Sequence, residues 1–199
     1  MEYGYGQWIW VVAIAILFLY FLKEVFKPQT PTDWTTYRGM GAFFVALFAE
    51  MYGFPLTIYI LTSLFGQKLG LDFSHNSGHI LESLLGSTGD PHFSLFHIVG
   101  NLLVGAGFIL IAVSWKILYA AVKAKKISRT GPYKYVRHPQ YIGFSLIILG
   151  FLLQWPTIIT LIMAPFLLWR YAKLARIEEG EMVKKFGQQY LDYKSQTYS

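Results

Sequence analysis

The sequence contains no cysteine. That removes disulfides, thiolate metal sites and a cysteine nucleophile in one step. Charge is also scarce. Asp, Glu, Lys and Arg make up 14% of the 199 residues, against about 25% in an ordinary soluble chain. Acidic residues are the rarer sign, 11 against 17 basic ones. A cleavable leader is not expected: Glu2, rather than Lys or Arg, precedes the first apolar run, and no small-residue cleavage pattern follows it. No repeat or low-complexity segment stands out.

What fills the chain instead is apolar. Hydrophobic residues make up 54%, and the mean hydropathy is +0.41. Apolar runs occupy about 7–22, 39–65, 96–121, 139–154 and 157–174, the first three near or above the length needed to cross about 30 Å of hydrocarbon. The last two are each about 13 residues at their core and, extended, make a tight tilted hairpin closed by Gln154-Trp155-Pro156-Thr157, with an interfacial tryptophan. The expected fold is all-α: a single membrane domain over 1–199, a polytopic transmembrane helix bundle of about five spans. Pro28, Pro31 and the Pro-Thr-Asp-Trp stretch read as a connector. Residues 66–95 are polar, with a short interfacial helix over Ser77 to Leu85. From Arg176 the tail is polar, and Val183, Phe186, Tyr190 and Tyr193 recur at helical spacing, so an amphipathic helix is expected there.

Lys and Arg fix the expected orientation. Sixteen of the 17 fall in segments 22–38, 116–137 and 170–199, and only Lys68 lies in 66–95. Five crossings with the N-terminus extracytoplasmic and the C-terminus cytoplasmic put all sixteen on one side. Because these cations sit at the ends of apolar segments, they read as membrane anchors and not as a nucleic-acid surface. Membrane lipid is the expected surrounding partner, and oligomeric state is left open.

Chemistry concentrates in segment 122–138 and its continuation. Gly131-Pro132-Tyr133-Lys134-Tyr135-Val136-Arg137-His138-Pro139-Gln140-Tyr141 places two cations, an imidazole and three phenols just before an apolar run. Pro139 suits a first helical turn, whose free N–H groups favour an anion. Arg137 has the fork that grips a carboxylate or phosphate. A hairpin returns its end to the side where it began, so Glu178 and Glu179 are expected near Arg137 and His138. The alternative is plain interfacial anchoring by basic residues and a tyrosine belt.

The order GPYxxxRHPxYxG, a hairpin, Glu178-Glu179, then FGxxYxxY from Phe186 to Tyr193 resembles the signature of isoprenylcysteine carboxyl methyltransferase-like membrane proteins. Phospholipid N-methyltransferases share parts of it. The resemblance covers Ile127 to Tyr193, about one third of the chain. It implies S-adenosylmethionine as cofactor. It further implies that Ile127 to Thr130 approach that cofactor through their backbone, that Gly131 also binds it, that Tyr133, His138 and Tyr141 line its pocket, and that Glu178 or Glu179 binds its amino group. Arg137, His138 and Glu179 are the implied catalytic set, acting on a small or lipid-borne acceptor: a carboxylate, thiol or amine. Membrane sterol reductases using NADPH resemble the C-terminal pattern too, and supply a second reading.

Two features stand outside that pattern. Glu50 lies mid-span beside Pro55, where a carboxyl must face protein or water; it reads equally as functional or as a structural hydrogen bond at a kink. His75, His79, His92 and His97 fall in or beside the polar 66–95 stretch with Asp72, Glu82 and Asp90. A metal-handling protein is one reading of these histidines. Loop residues and interfacial caps are the favoured one, with no metal expected, since no tight ligand motif is complete.

Overall fold

Apolar runs punctuated by proline and glycine should fold as separate rods. The computed structural model describes residues 5–28, 30–86 and 89–198, apart from the side chains of residues 66 and 67; Glu2 lies outside the described residues. The chain forms α1 (Trp8–Phe26), α2 (Pro31–Phe48), α3 (Leu56–Phe65), the short α4 (Ile80–Leu84), α5 (Leu95–Lys123), α6 (Pro139–Gln154), α7 (Ile158–Phe186) and α8 (Gln188–Ser195). Among the described residues, β pairing is limited to one isolated bridge, Val136 with Tyr198. The fold is all-α.

Helices α1, α5 and α7 are long and apolar enough to cross a bilayer, and the bent pair of α2 and α3 makes a fourth such unit. The fifth rod, α6, has 16 residues, which at 1.5 Å per residue is roughly 24 Å. Ile9, Leu17, Leu102, Ile109 and Ile162 are all more than half exposed on these rods. A bundle that satisfies its backbone internally and turns such side chains outward is built for lipid. Inside, the Phe18 ring lies 5.0 Å from Phe44, 5.1 Å from Phe48 and 6.3 Å from Phe151, tying α1 to α2 and α6.

Helices α5 and α6 lie antiparallel and very close. A Cβ on Gly100 would stand 2.7 Å from the Gly150 carbonyl oxygen, and one on Gly107 would stand 2.6 Å from that of Gly143. Both pairs are seven residues apart in their own helix, so the two contacts share one seam. Small residues let helix backbones meet in this way where lipid supplies no hydrophobic drive.

The structure departs from the sequence reading in four places. Pro31 to Trp34 are not connector but the first turn of α2: Thr30 and Asp33 form a reciprocal capping box, and Pro31 occupies a position where no N–H is missed. The second apolar run is not one straight span. A π-helical turn, Ala49–Gly53, precedes Pro55, and α2 and α3 meet at a 64° bend. The polar tail is not one amphipathic helix. Helix α7 continues unbroken to Phe186, because Glu, Met and Lys there are good helix formers; Gly187, at φ +53°, then turns the chain into α8. Val183 and Phe186 thus belong to α7, Tyr190 and Tyr193 to α8. Finally, Trp155 does not face outward as a belt residue would. It is buried, and its ring fills the space that a Cβ on Gly78 would need.

Candidate active site

The site forms where α6 begins and α7 ends its polar extension. Gly131 opens a 3-10 turn, Gly131–Lys134, at φ +57°. A side chain there would be strained in that conformation, and its Cβ would come 2.5 Å from Ile117 Cδ1. The turn buries Tyr133, whose hydroxyl donates to Gln140 Oε1 at 3.1 Å. Burial pushes the Tyr133 phenol up, and Glu178 adds to the rise, so it stays a neutral donor. His138 then caps α6, with Pro139 in its first turn.

Glu178 and Glu179 do come back to Arg137 and His138, but they do different things. Arg137 Nε donates to Glu179 Oε1 at 2.7 Å, and Lys194 Nζ lies 2.6 Å from Glu179 Oε2. Arg137 Nη1 also donates to the carbonyls of Lys194, at 3.2 Å, and Thr197. Backbone bonds continue the seam: Arg137 N to Tyr198 O, and Tyr198 N to Tyr135 O, each 2.9 Å. Tyr193 donates to the Tyr133 carbonyl at 2.7 Å. Arg137 and Glu179 therefore clasp the C-terminal segment over the motif.

Glu178 stays outside that clasp. Its Oε1 accepts from the Tyr141 hydroxyl at 2.6 Å, and its side chain is 26% exposed, against 11% for Glu179. That leaves Glu178 as the carboxylate with room for a ligand. His138 sits between the two, Nδ1 3.4 Å from Glu178 Oε2 and Nε2 3.4 Å from Glu179 Oε1. Both ring nitrogens are buried without a hydrogen bond. Tyr141 stacks between His138, at 5.8 Å, and Tyr171, at 5.6 Å. Before the turn, Ile127 is half-buried and Ser128 is buried with its hydroxyl unpartnered.

Sequence reasoning missed Lys194, Thr197, Gln140 and Tyr171. Nothing local marks a lysine 57 residues after Arg137 as its neighbour. Tyr171 was hidden in an apolar run, although a phenol at membrane depth is a signal in itself.

Glu50 bonds across the bend. Its Oε2 accepts from Thr57 N at 2.8 Å, and Thr57 Oγ1 accepts from Ile158 N at 2.8 Å, so one carboxylate steadies the starts of α3 and α7. At this end of the bundle, opposite His138, the four remaining histidines gather. His79 lies 6.0 Å from His75, 4.9 Å from His92 and 5.2 Å from His97, ring centre to ring centre.

Residues 95–189, from the start of α5 into α8, match the phospholipid methyltransferase family. The chain is also 33% identical over 160 residues to the protein-S-isoprenylcysteine O-methyltransferase of Saccharomyces cerevisiae, a match covering 71% of this chain and 66% of that relative. The chain is thus similar to a family of membrane methyltransferases, and it spans just under two thirds of the length of that relative. The family segment contains the whole Tyr133–His138–Glu178 cluster, while His75, His79 and His92 precede it. No solved structure matches the chain.

Proposed function

We propose that this protein is a membrane methyltransferase that takes its methyl group from S-adenosylmethionine and passes it to a small or lipid-borne acceptor at the cytoplasmic face. The observation that carries this reading is the pairing of a part-exposed carboxylate, Glu178, with a buried imidazole, His138, whose two nitrogens lie 3.4 Å from Glu178 and Glu179 without a hydrogen bond of ordinary geometry. Buried polar atoms without partners are rare in a folded chain and call for a ligand. The donor set fits the cofactor. Glu178 suits its ammonium and favours its cationic sulfonium, and the unpartnered Ser128 hydroxyl and the His138 ring beside Glu178 suit its polar groups. Residues 127–130 would approach it through their backbone, as the family resemblance implies.

Bound there, S-adenosylmethionine would supply an activated methyl for in-line displacement by the acceptor, leaving a neutral thioether. The chain's own part is positioning and exclusion of water. Tyr141 orients Glu178, and the clasp of Arg137, Glu179 and Lys194 holds the C-terminal segment over the site. A carboxylate acceptor needs no base. An amine or thiol acceptor must lose a proton, and His138, between two carboxylates, is placed to take it. The cytoplasmic assignment follows from the Lys and Arg distribution.

Calorimetry on the purified full-length chain tests the reading. Binding of S-adenosylmethionine is expected, weakened at least tenfold by Glu178→Gln with the circular dichroism unchanged. A folded preparation with no binding, or equal binding by Glu178→Gln, overturns it.

A further inference from the structure

The histidine cluster lies at the opposite end of the α5–α6 pair from the methyltransferase site. Three segments build it. His75 and His79 flank a 3-10 turn, His75–Gly78; His92 follows the cap Asp90; and His97 lies in the first turn of α5. Nitrogens of His75, His79 and His92 all lie within 4.8 Å of one another. A metal held tetrahedrally at about 2.0–2.1 Å would bring such atoms to about 3.3 Å, so binding would draw the three rings closer together.

His79 is 1% exposed, and neither of its ring nitrogens finds a hydrogen bond of ordinary geometry; the Gln154 backbone lies beside it. A buried imidazole whose nitrogens are incompletely satisfied costs free energy unless something occupies them. His92 is already oriented: its Nδ1 pairs with Asp90 Oδ1 at 2.7 Å, which leaves Nε2 as the ligand atom. Carboxylate–histidine pairs of this form typically stand behind metal-ligating rings. The Met51 backbone sits beside His75. Trp155 closes one wall, 4.5 Å from His75 and 4.8 Å from His79. Glu82, 3% exposed, accepts from Ser94 through one oxygen and keeps the other, Oε2, unpartnered.

We propose that His75, His79 and His92 form a binding site for a divalent first-row transition-metal ion, zinc in the first instance, with His97 adjacent as a fourth ligand and Asp90 orienting His92. Imidazole suits zinc, and the neighbouring carboxylates Asp90 and Glu82 balance its charge. The ion would fasten the two halves of the segment between α3 and α5 to each other and to the start of α5. The inference does not depend on the methyltransferase reading.

The test uses full-length protein from which any affinity tag has been removed. It is equilibrated with zinc, passed through desalting, and assayed for metal by mass spectrometry. About one zinc per chain is expected, with a raised melting temperature, and cobalt in its place should give the intense visible bands of a tetrahedral site. His79→Ala should lose the metal. Should that variant fail to fold, His92→Ala, whose ring is exposed, carries the test, and Asp90→Asn should weaken retention at least tenfold. No retained zinc in the folded wild-type protein, or the same retention in His92→Ala, overturns the proposal.

Discussion

The Tyr141 hydroxyl donates to Glu178 at 2.6 Å, joining the first turn of α6 to the polar extension of α7 across 37 residues. This bond aims the carboxylate that is open to a ligand. Tyr141→Phe keeps the ring stacked between His138 and Tyr171 and removes only the hydroxyl. A hydrogen bond to a charged group contributes roughly 1.5–3 kcal/mol. Part of that is recovered by water here, so affinity for S-adenosylmethionine should fall about fivefold to tenfold, read by calorimetry. Unchanged affinity would show that Glu178 needs no such orientation.

Arg137 and Glu179 form a pair whose side chains are 8% and 11% exposed. Removing one member of a buried pair strands the other, at roughly 3–5 kcal/mol. Lys194 remains on Glu179 and softens the loss, so Arg137→Ala should cost about 3 kcal/mol in thermal or denaturant unfolding. The larger effect is local. The backbone bonds from residues 135 and 137 to Tyr198 should loosen, and proteolysis should trim the C-terminal segment first. Equal trimming rates in wild type and variant would refute the clasp.

Glycine at the α5–α6 seam has a built-in control. Gly107→Ala drives a Cβ to 2.6 Å from the Gly143 carbonyl oxygen, whereas Gly105→Ala, on the same helix, meets nothing within 4 Å. Overpacking against backbone costs about 1–3 kcal/mol, while alanine at the open position gains up to about 1 kcal/mol of helix propensity. Melting temperature should therefore drop for Gly107→Ala and hold or rise for Gly105→Ala.

Burial pushes the Tyr190 phenol up to about 12, with Glu179 adding to the rise. In a released C-terminal segment it would ionise near 10. Between those values the released segment has lost a proton that the docked one keeps, so docking is at full strength below pH 10 and weakens as pH climbs toward 12. An ultraviolet difference titration should show one fewer late-ionising tyrosine in Tyr190→Phe. A late-ionising population of unchanged size would contradict the docked geometry.

Much of this protein was already determined by the order of its residues. Apolar runs separated by proline, glycine and lysine dictate helices that face lipid, since no other local structure satisfies the backbone there. The order from Gly131 through His138 to Glu178 and Tyr193 carries the family resemblance, and a hairpin must bring its two ends together. Tertiary structure decided the division of labour. Two adjacent glutamates on one helix point about 100° apart; that rotation gives Glu179 to Arg137 and Lys194 and leaves Glu178 to Tyr141. It also decided Trp155 and the outer histidines. Spacing alone makes His75 and His92 remote loop residues, and only the packing of three segments against a buried tryptophan brings their rings together.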